Sequence, residues 1–360
     1  MVAYIRELAL RKRWLSEESF ADGVVLCQSI PGATAMQTAA YVGLRARGPL
    51  GALAAFIGFG LPAFVLMAVL SAVYQASRDV QPVISAFRGL HVIVVALVAN
   101  AALNFGRSSI RNWRDVLLAA GAAAFLIFHG SPILVIAASA ALSVLLYRGV
   151  AFAEPPSHGG ESAGRRRMLL AALILALVAA AGLASLFFLD RALFRLAALM
   201  MKVDVFAFGG GFASVPLMLH EVVDARQWMD GRTFMDGIAL GQVTPGPIVI
   251  TATFVGYQTA GLAGAVVGTV GIFTPSFLMV LVSVPYFDRL NRHAVFRRAL
   301  RGILASFVGL LLAVSVNFGI AIHWTVPSVL LALAAFAALR LKVDILWVVL
   351  VGACLSVLLL

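Results

Sequence analysis

Two short runs hold the residue types best suited to gripping an anion away from water: Gln28-Ser29-Ile30-Pro31-Gly32 and Gln242-Val243-Thr244-Pro245-Gly246-Pro247. Inside an apolar helix a proline removes one backbone donor and clashes with the carbonyl four residues back. The adjoining glycine lets the chain leave the helix. The half-helix that begins after such a break presents N–H donors and the positive end of its dipole, which favours an anionic ligand. Gln28, Gln37 and Gln242 add neutral amide donors, and Ser29, Thr34, Thr244 and Thr251 add hydroxyls close by, so the set reads as an oxyanion cage. Gly209, Gly210 and Gly211 mark a third break. Prolines also merely kink membrane helices, but the recurrence of Gln-x-x-Pro-Gly favours a site.

That recurrence extends to the elements that must position the cage. The stretch Trp14 to Gly32 returns 214 residues later as Trp228 to Gly246, with Trp, Phe, Asp, Gly, Leu, Gln, Pro and Gly in register. After a one-residue slip the match continues: Val42-Gly43 on Val255-Gly256, Gly51 on Gly264, Pro62 on Pro275, Arg88-Gly89 on Arg301-Gly302, and Asn104-Phe105-Gly106 on Asn317-Phe318-Gly319. An internal duplication of this kind divides the chain into a first repeat, residues 1–148, a linker, 149–167, and a second repeat, 168–360. The linker holds the one long polar stretch, E-P-P-S-H-G-G-E-S-A-G-R-R-R, and reads as cytoplasmic.

Composition sets the environment. Apolar residues make up 62% of the chain and charged ones only 12%, with a mean hydropathy of +1.00, which excludes a soluble domain. A hydrocarbon core of about 30 Å needs roughly 20 apolar residues per helix, and the windows that approach this imply about 10–12 spans. Long unbroken apolar runs rule out a barrel. The expected fold is therefore an all-α polytopic integral membrane protein built from two repeats, with broken transmembrane helices at Phe20 to Leu44 and Phe234 to Tyr257. The net charge of +11 is spread between spans rather than gathered into a nucleic-acid surface, and reads as positive charge kept inside. Cys27 and Cys354 lack metal spacing, the histidines show no ligand pattern, and no H-E-x-x-H or G-x-S-x-G occurs, so no metal, cofactor or enzymatic activity is expected.

Charge asymmetry assigns the faces. The uncharged loop Thr259 to Ala263 falls outside, while Arg289, Arg292, Arg297, Arg298 and Arg301 fall inside, together with Arg226 and Arg232. In the first repeat the bias reverses, with Arg45 and Arg47 inside and Arg78 outside. This is the signature of an inverted-topology repeat, the arrangement secondary transporters use for alternating access. Arg6, Arg11, Lys12 and Arg13 conflict with it, because they would lie outside with no span to deliver them. The first repeat also lacks a partner for Phe208 to Gly211, so a further apolar, glycine-rich segment is expected upstream of Met1.

Charged residues within spans are expensive and so draw attention. Arg88 and Arg301 occupy matching positions and either snorkel or attract the anion. Lys202 and Asp204 either neutralise each other or carry a coupling ion, a proton being the candidate. Glu221 is expected at the interface, and Asp22 and Asp236 as helix caps.

The runs F-G-G-G-F-A-S-V-P-L from Phe208, G-Q-V-T-P-G-P-I-V-I-T-A-T-F-V-G-Y from Gly241 and G-I-F-T-P-S-F from Gly271 resemble the chromate ion transporter family; L-C-Q-S-I-P-G from Leu26 is similar to its first-half counterpart. The resemblance implies a two-domain carrier in the inner membrane that exports chromate, with sulfate as the related dianion, driven by the membrane potential or a proton gradient, with a homodimer left open. By matching motif it implies substrate contacts at Gln28, Pro31, Gly32, Gly209, Gly210, Gly211, Gln242, Thr244, Pro245, Gly246, Pro247 and Thr251. The family's first Phe-Gly-Gly-Pro element has no counterpart, which allows an inactive, N-terminally shortened member as the alternative.

Overall fold

The computed structural model describes residues 1–128, 130–150, 165–287 and 292–359, so most of the linker and Arg289 lie outside the described residues. Every regular element among them is helical. In order they are α1 (Val2–Arg11), α2 (Glu17–Ser29), α3 (Thr34–Ser77), α4 (Gln81–Ser109), α5 (Trp113–Ile127), α6 (Pro132–Leu146), α7 (Arg165–Leu189), α8 (Arg191–Phe206), α9 (Ser214–Leu219), α10 (Gly231–Val243), α11 (Thr251–Ser283), α12 (Ala294–Ala321), α13 (Val326–Arg340) and α14 (Ile345–Leu359). Five helical stretches are long and apolar enough to cross a membrane: Thr34–Ser77, Gln81–Ser109, Arg165–Leu189, Ile248–Tyr286 and Ala294–Ala321. The chain is a multi-pass membrane protein. α7 is apolar on all sides and buries only Ala172, so its surface faces lipid.

The Pro-Gly segments do not kink a crossing helix; they reverse it. α2 ends at Ser29, residues 30–33 turn, and the first arm of α3 runs back along α2, so that the Tyr41 hydroxyl donates to the Ser19 carbonyl at 3.2 Å. The second copy does the same, with Gly237 against the Phe254 ring. At 1.5 Å per residue each arm is about 20 Å long, enough to reach mid-membrane and return. The expected broken spans Phe20 to Leu44 and Phe234 to Tyr257 are therefore re-entrant hairpins. Two prolines and flexible glycines permit either outcome, and tertiary packing of α2 on α3 decides it.

A second reversal follows at once. α3 leaves helical geometry at Arg47 (φ −143°, ψ 21°) and Gly48 (φ 69°, ψ −161°), and α11 does so at Ala260 (φ −149°, ψ 32°) and Gly261 (φ 59°, ψ −149°). On either side of each turn the arms touch backbone to backbone, because Gly43 faces the Gly51 carbonyl and Gly256 the Gly264 carbonyl with no Cβ between them. These matched glycines are the pairs at constant offset in the sequence.

The reversals resolve the conflict over the N-terminal charges. Arg6 pairs with Glu17, Ile5 and Ala9 pack with Phe20, Ala39 and Val42, and the Arg45 guanidinium lies 5.5 Å from the Tyr41 ring centroid. α1 therefore sits at the same end of the molecule as Arg45 and Arg47. The same geometry corrects Arg232. It lines one cavity with Arg78, although sequence charge placed the two on opposite faces.

Packing exchanges partners between the halves. α4 packs on α12, α13 and α14, while its counterpart α12 packs on α4, α5 and α6; α3 meets α11. One end of α4 (Ile84 to Val92) shares a cavity with the C-terminal end of α12, and the other end (Ser108, Ser109) shares one with the N-terminal end of α12 (Arg297 to Leu304).

Candidate functional site

The three breaks meet. The Gly32 N–H donates to the Ala207 carbonyl at 2.8 Å, a methyl carried by Gly210 would sit 3.3 Å from Thr34 Oγ1, and one carried by Gly211 would sit 3.0 Å from Ile248 Cγ2. Positive φ at Gly32 (116°), Gly209 (91°) and Gly210 (104°) makes these turns available to glycine and strained for any other residue. Each break is followed by a helical start, at Thr34, Gly211 and Ile248. Their first-turn N–H groups have no partner within their own helices, so three positive helix ends gather at one place.

Side chains fix the junction from behind. Ser276 Oγ donates to Asp204 Oδ1 at 2.8 Å and accepts the Ala33 N–H at 3.2 Å, which ties the first break to α8 and α11. Gln37 donates through Nε2 to the Pro31 carbonyl at 2.6 Å. Gln37 Oε1, Asp204 Oδ2 and Gln242 Nε2 are buried and have no hydrogen-bond partner among the described residues. Buried polar atoms are seldom left without a partner, so these mark a place where a ligand, ion or proton belongs.

Several expected donors are committed elsewhere. The hydroxyls of Ser29, Thr244 and Thr251 donate to carbonyls one turn back, of Val25, Gly241 and Ile248. Gln28 and Pro245 are exposed.

A cavity of about 370 Å³ opens onto the glycine turn, lined by Gly209, Gly211, Phe212 and Ala213 and by Asn100, Asn104, Phe105 and Ser108 of α4. Ser108 also lines a second cavity of about 310 Å³ with Arg111, Arg297 and Arg301. Ser108 is the lining residue the two cavities share. Asn100, Ser108 and Arg111 were not singled out in the sequence, although an asparagine in the middle of an apolar helix was the available signal. Asn104 lines the first cavity and bridges helices as well, its Oδ1 accepting from Arg340 Nη1 at 3.3 Å.

The charged residues fall into separate places. Lys202 and Asp204 do not neutralise each other: Lys202 Nζ lies 2.7 Å from Glu221 Oε1, Arg226 also pairs with Glu221, and Asp204 is buried against Ser276. Two residues apart on a helix, Lys202 and Asp204 point to different faces. Glu221 is buried within the protein; burial pushes its pKa up, but Lys202 and Arg226 outweigh this and hold it below the ordinary range. Arg301 neither snorkels nor stands open. Its Nε and Nη2 meet Asp115 at 3.0 and 2.9 Å, and Tyr147 donates to the same carboxylate at 2.6 Å. Asp115 also takes the N–H groups of Arg111 and Asn112 in the capping box of α5. Arg88 instead lines a cavity of about 600 Å³ at the opposite end of α4, with Arg78 and Arg232. Asp22 and Asp236 do not cap their helices, since Ser16 and Asp230 do.

A family model described as "Chromate transporter" matches residues 1–144 and 194–357. An uncharacterized transporter of Methanocaldococcus jannaschii is 44% identical over all of this chain and 89% of its own length. A chromate transport protein of Pseudomonas aeruginosa is 31% identical over 92% of this chain and 79% of its own, and one of Cupriavidus metallidurans is 29% identical over 93% and 81%. No solved structure matches the chain.

Proposed function

The chain belongs to the chromate transporter family, and on that premise we propose that it carries chromate out of the cytoplasm across the inner membrane, through a site where its three helix breaks meet. The observation that carries this reading is the convergence of three turns, at Gly32, at Gly209 to Gly211 and just before Ile248, each opening a helix. A tetrahedral dianion is acceptor-only, and clustered backbone N–H groups at positive helix ends supply donors without a counter-charge to remove on release. The mouth carrying Arg111, Arg297 and Arg301 lies on the face that charge asymmetry assigns to the cytoplasm, where it would raise the local concentration of an anion to be exported. Alternating access follows from an inverted relation of the repeats, supported by the exchanged packing of α4 and α12.

The deciding experiment is uptake of radioactive chromate by everted membrane vesicles, with sulfate as competitor. The reading expects saturable uptake above that of vesicles lacking the protein. Uptake of sulfate with no chromate movement would reassign the substrate within the same architecture, and movement of neither would sink the reading.

A further inference from the structure

At the end of α4 away from the arginine mouth, His91 Nε2 lies 2.6 Å from Asp236 Oδ1, and the Tyr74 hydroxyl donates to Asp236 Oδ2 at 2.7 Å. This cluster joins α3 and α4 of the first repeat to α10, the outer arm of the second repeat's re-entrant hairpin. His91 and Asp236 are 13% and 9% exposed, so the contact is largely desolvated, yet both line the 600 Å³ cavity and water can reach them. The other groups facing His91 are Arg78 of α3, Arg88 of α4, Arg232 of α10 and His323 beyond α12. Three guanidiniums and one carboxylate thus share the cavity with the ring.

The opposite mouth has a comparable tie of different chemistry. There a tyrosine, an aspartate and a cation also join neighbouring elements, as Tyr147, Asp115 and Arg301, but a guanidinium cannot give up its proton. The position that matches His91 by the repeat offset is Leu304. One end of the molecule therefore has a titratable tie and the other a permanent one. Histidine is the side chain whose charge changes in the physiological range; the neutral ring can donate one N–H to a carboxylate, and the protonated ring adds the attraction of a full ion pair to that bond.

We propose that His91, held against Asp236, is the proton-binding site that links transport to the pH difference across the membrane. Neutral His91 takes one proton at its second ring nitrogen from a hydronium ion of the cavity, an N–H bond forming as an O–H bond breaks and water is left, and the added ion pair tightens the tie between α4 and α10; loss of that proton to water loosens it. Because α10 runs directly into the Thr244 turn, the state of the tie reaches the anion site through one helix. This deepens the carrier reading and rests on it.

The test uses the full chain reconstituted in liposomes loaded with a pH-sensitive dye, with two readings on the same vesicles. One is chromate exchange at equal chromate and equal pH on both sides; the other is proton movement when a chromate gradient is imposed. In the wild type both are expected. His91→Gln keeps an amide donor toward Asp236, and is expected to hold exchange within about threefold of wild type while proton movement falls more than about tenfold. Asp236→Asn leaves His91 among the arginines without its carboxylate, so the pH profile of exchange should move to the acidic side. This shift decides the matter should His91→Gln fail to fold. Proton movement by His91→Gln equal to that of the wild type, wild-type exchange with no proton movement, or an unmoved profile in Asp236→Asn would each overturn the proposal. Absence of any chromate exchange by the wild type would strike the carrier reading first, and this proposal with it.

Discussion

Replacing Gly32 by alanine, with Gly48→Ala as its companion, separates backbone strain from damage to the junction. Both glycines have positive φ, at 116° and 69°, so each alanine variant bears a conformational penalty of about 1–3 kcal/mol. Their surroundings differ. A methyl at Gly48 has nothing within 4 Å, whereas one at Gly32 falls on Ser276 Oγ and Gln37 Nε2. Making room displaces the Ser276 bonds to Asp204 (2.8 Å) and Ala33 (3.2 Å) and the Gln37 bond to Pro31 (2.6 Å). Three such hydrogen bonds together add about 2–4 kcal/mol. Displacing the break by about 1 Å should also lower transport on the order of a hundredfold, as misplacement of a positioned group does. Thermal unfolding in detergent and chromate uptake per folded protein in vesicles read the two effects. Gly48→Ala should melt modestly lower and transport normally, while Gly32→Ala should be lower in both. Equal transport by the two variants would refute the placement of the site at the breaks.

Arg301→Gln leaves the Asp115 carboxylate buried without its cation and should destabilise by about 3–5 kcal/mol in thermal melts, whereas Arg88→Gln should melt near wild type and raise the half-saturating chromate concentration more at low salt than at high. Because Glu221 ionises more readily in the folded chain than in the unfolded one, its contribution is complete above the ordinary carboxylate range, near ~4.3, and is lost as pH falls through its lower folded value. The melting difference between wild type and Glu221→Gln should therefore shrink on acidification, and a difference that grows would reverse the assignment. Gly256→Val places a side chain against the Gly264 carbonyl, so the hairpin arms must part; loss of monodisperse folded protein on size exclusion is the expected result, and normal recovery would contradict the backbone contact.

Composition alone made the all-helical membrane class legible, and the matched glycines and prolines located the breaks to the residue. The direction of the chain after each break was not legible. Pro31-Gly32 is compatible with a kink or a reversal, and the choice is made by contacts such as Tyr41 on Ser19, far apart in sequence. Parity and charge rules inherit that uncertainty, which is why they put Arg232 and Arg78 on opposite faces although the two line one cavity. Pairing of charges was illegible for the same reason. Lys202 stands beside Asp204 in sequence, but helical geometry turns it to Glu221, and Arg301 finds Asp115 from another repeat. The hydroxyls near the breaks looked like anion donors because sequence does not show that a helix already occupies them.

Anomalous diffraction from crystals of the full chain soaked in chromate tests the central claim most directly. The convergence of the three breaks predicts a chromium peak whose oxygens lie within hydrogen-bonding distance of the backbone N–H groups around Gly210, Gly211 and Thr34. Ordered chromate seated only among Arg78, Arg88 and Arg232, with the junction empty at saturating concentration, would contradict it.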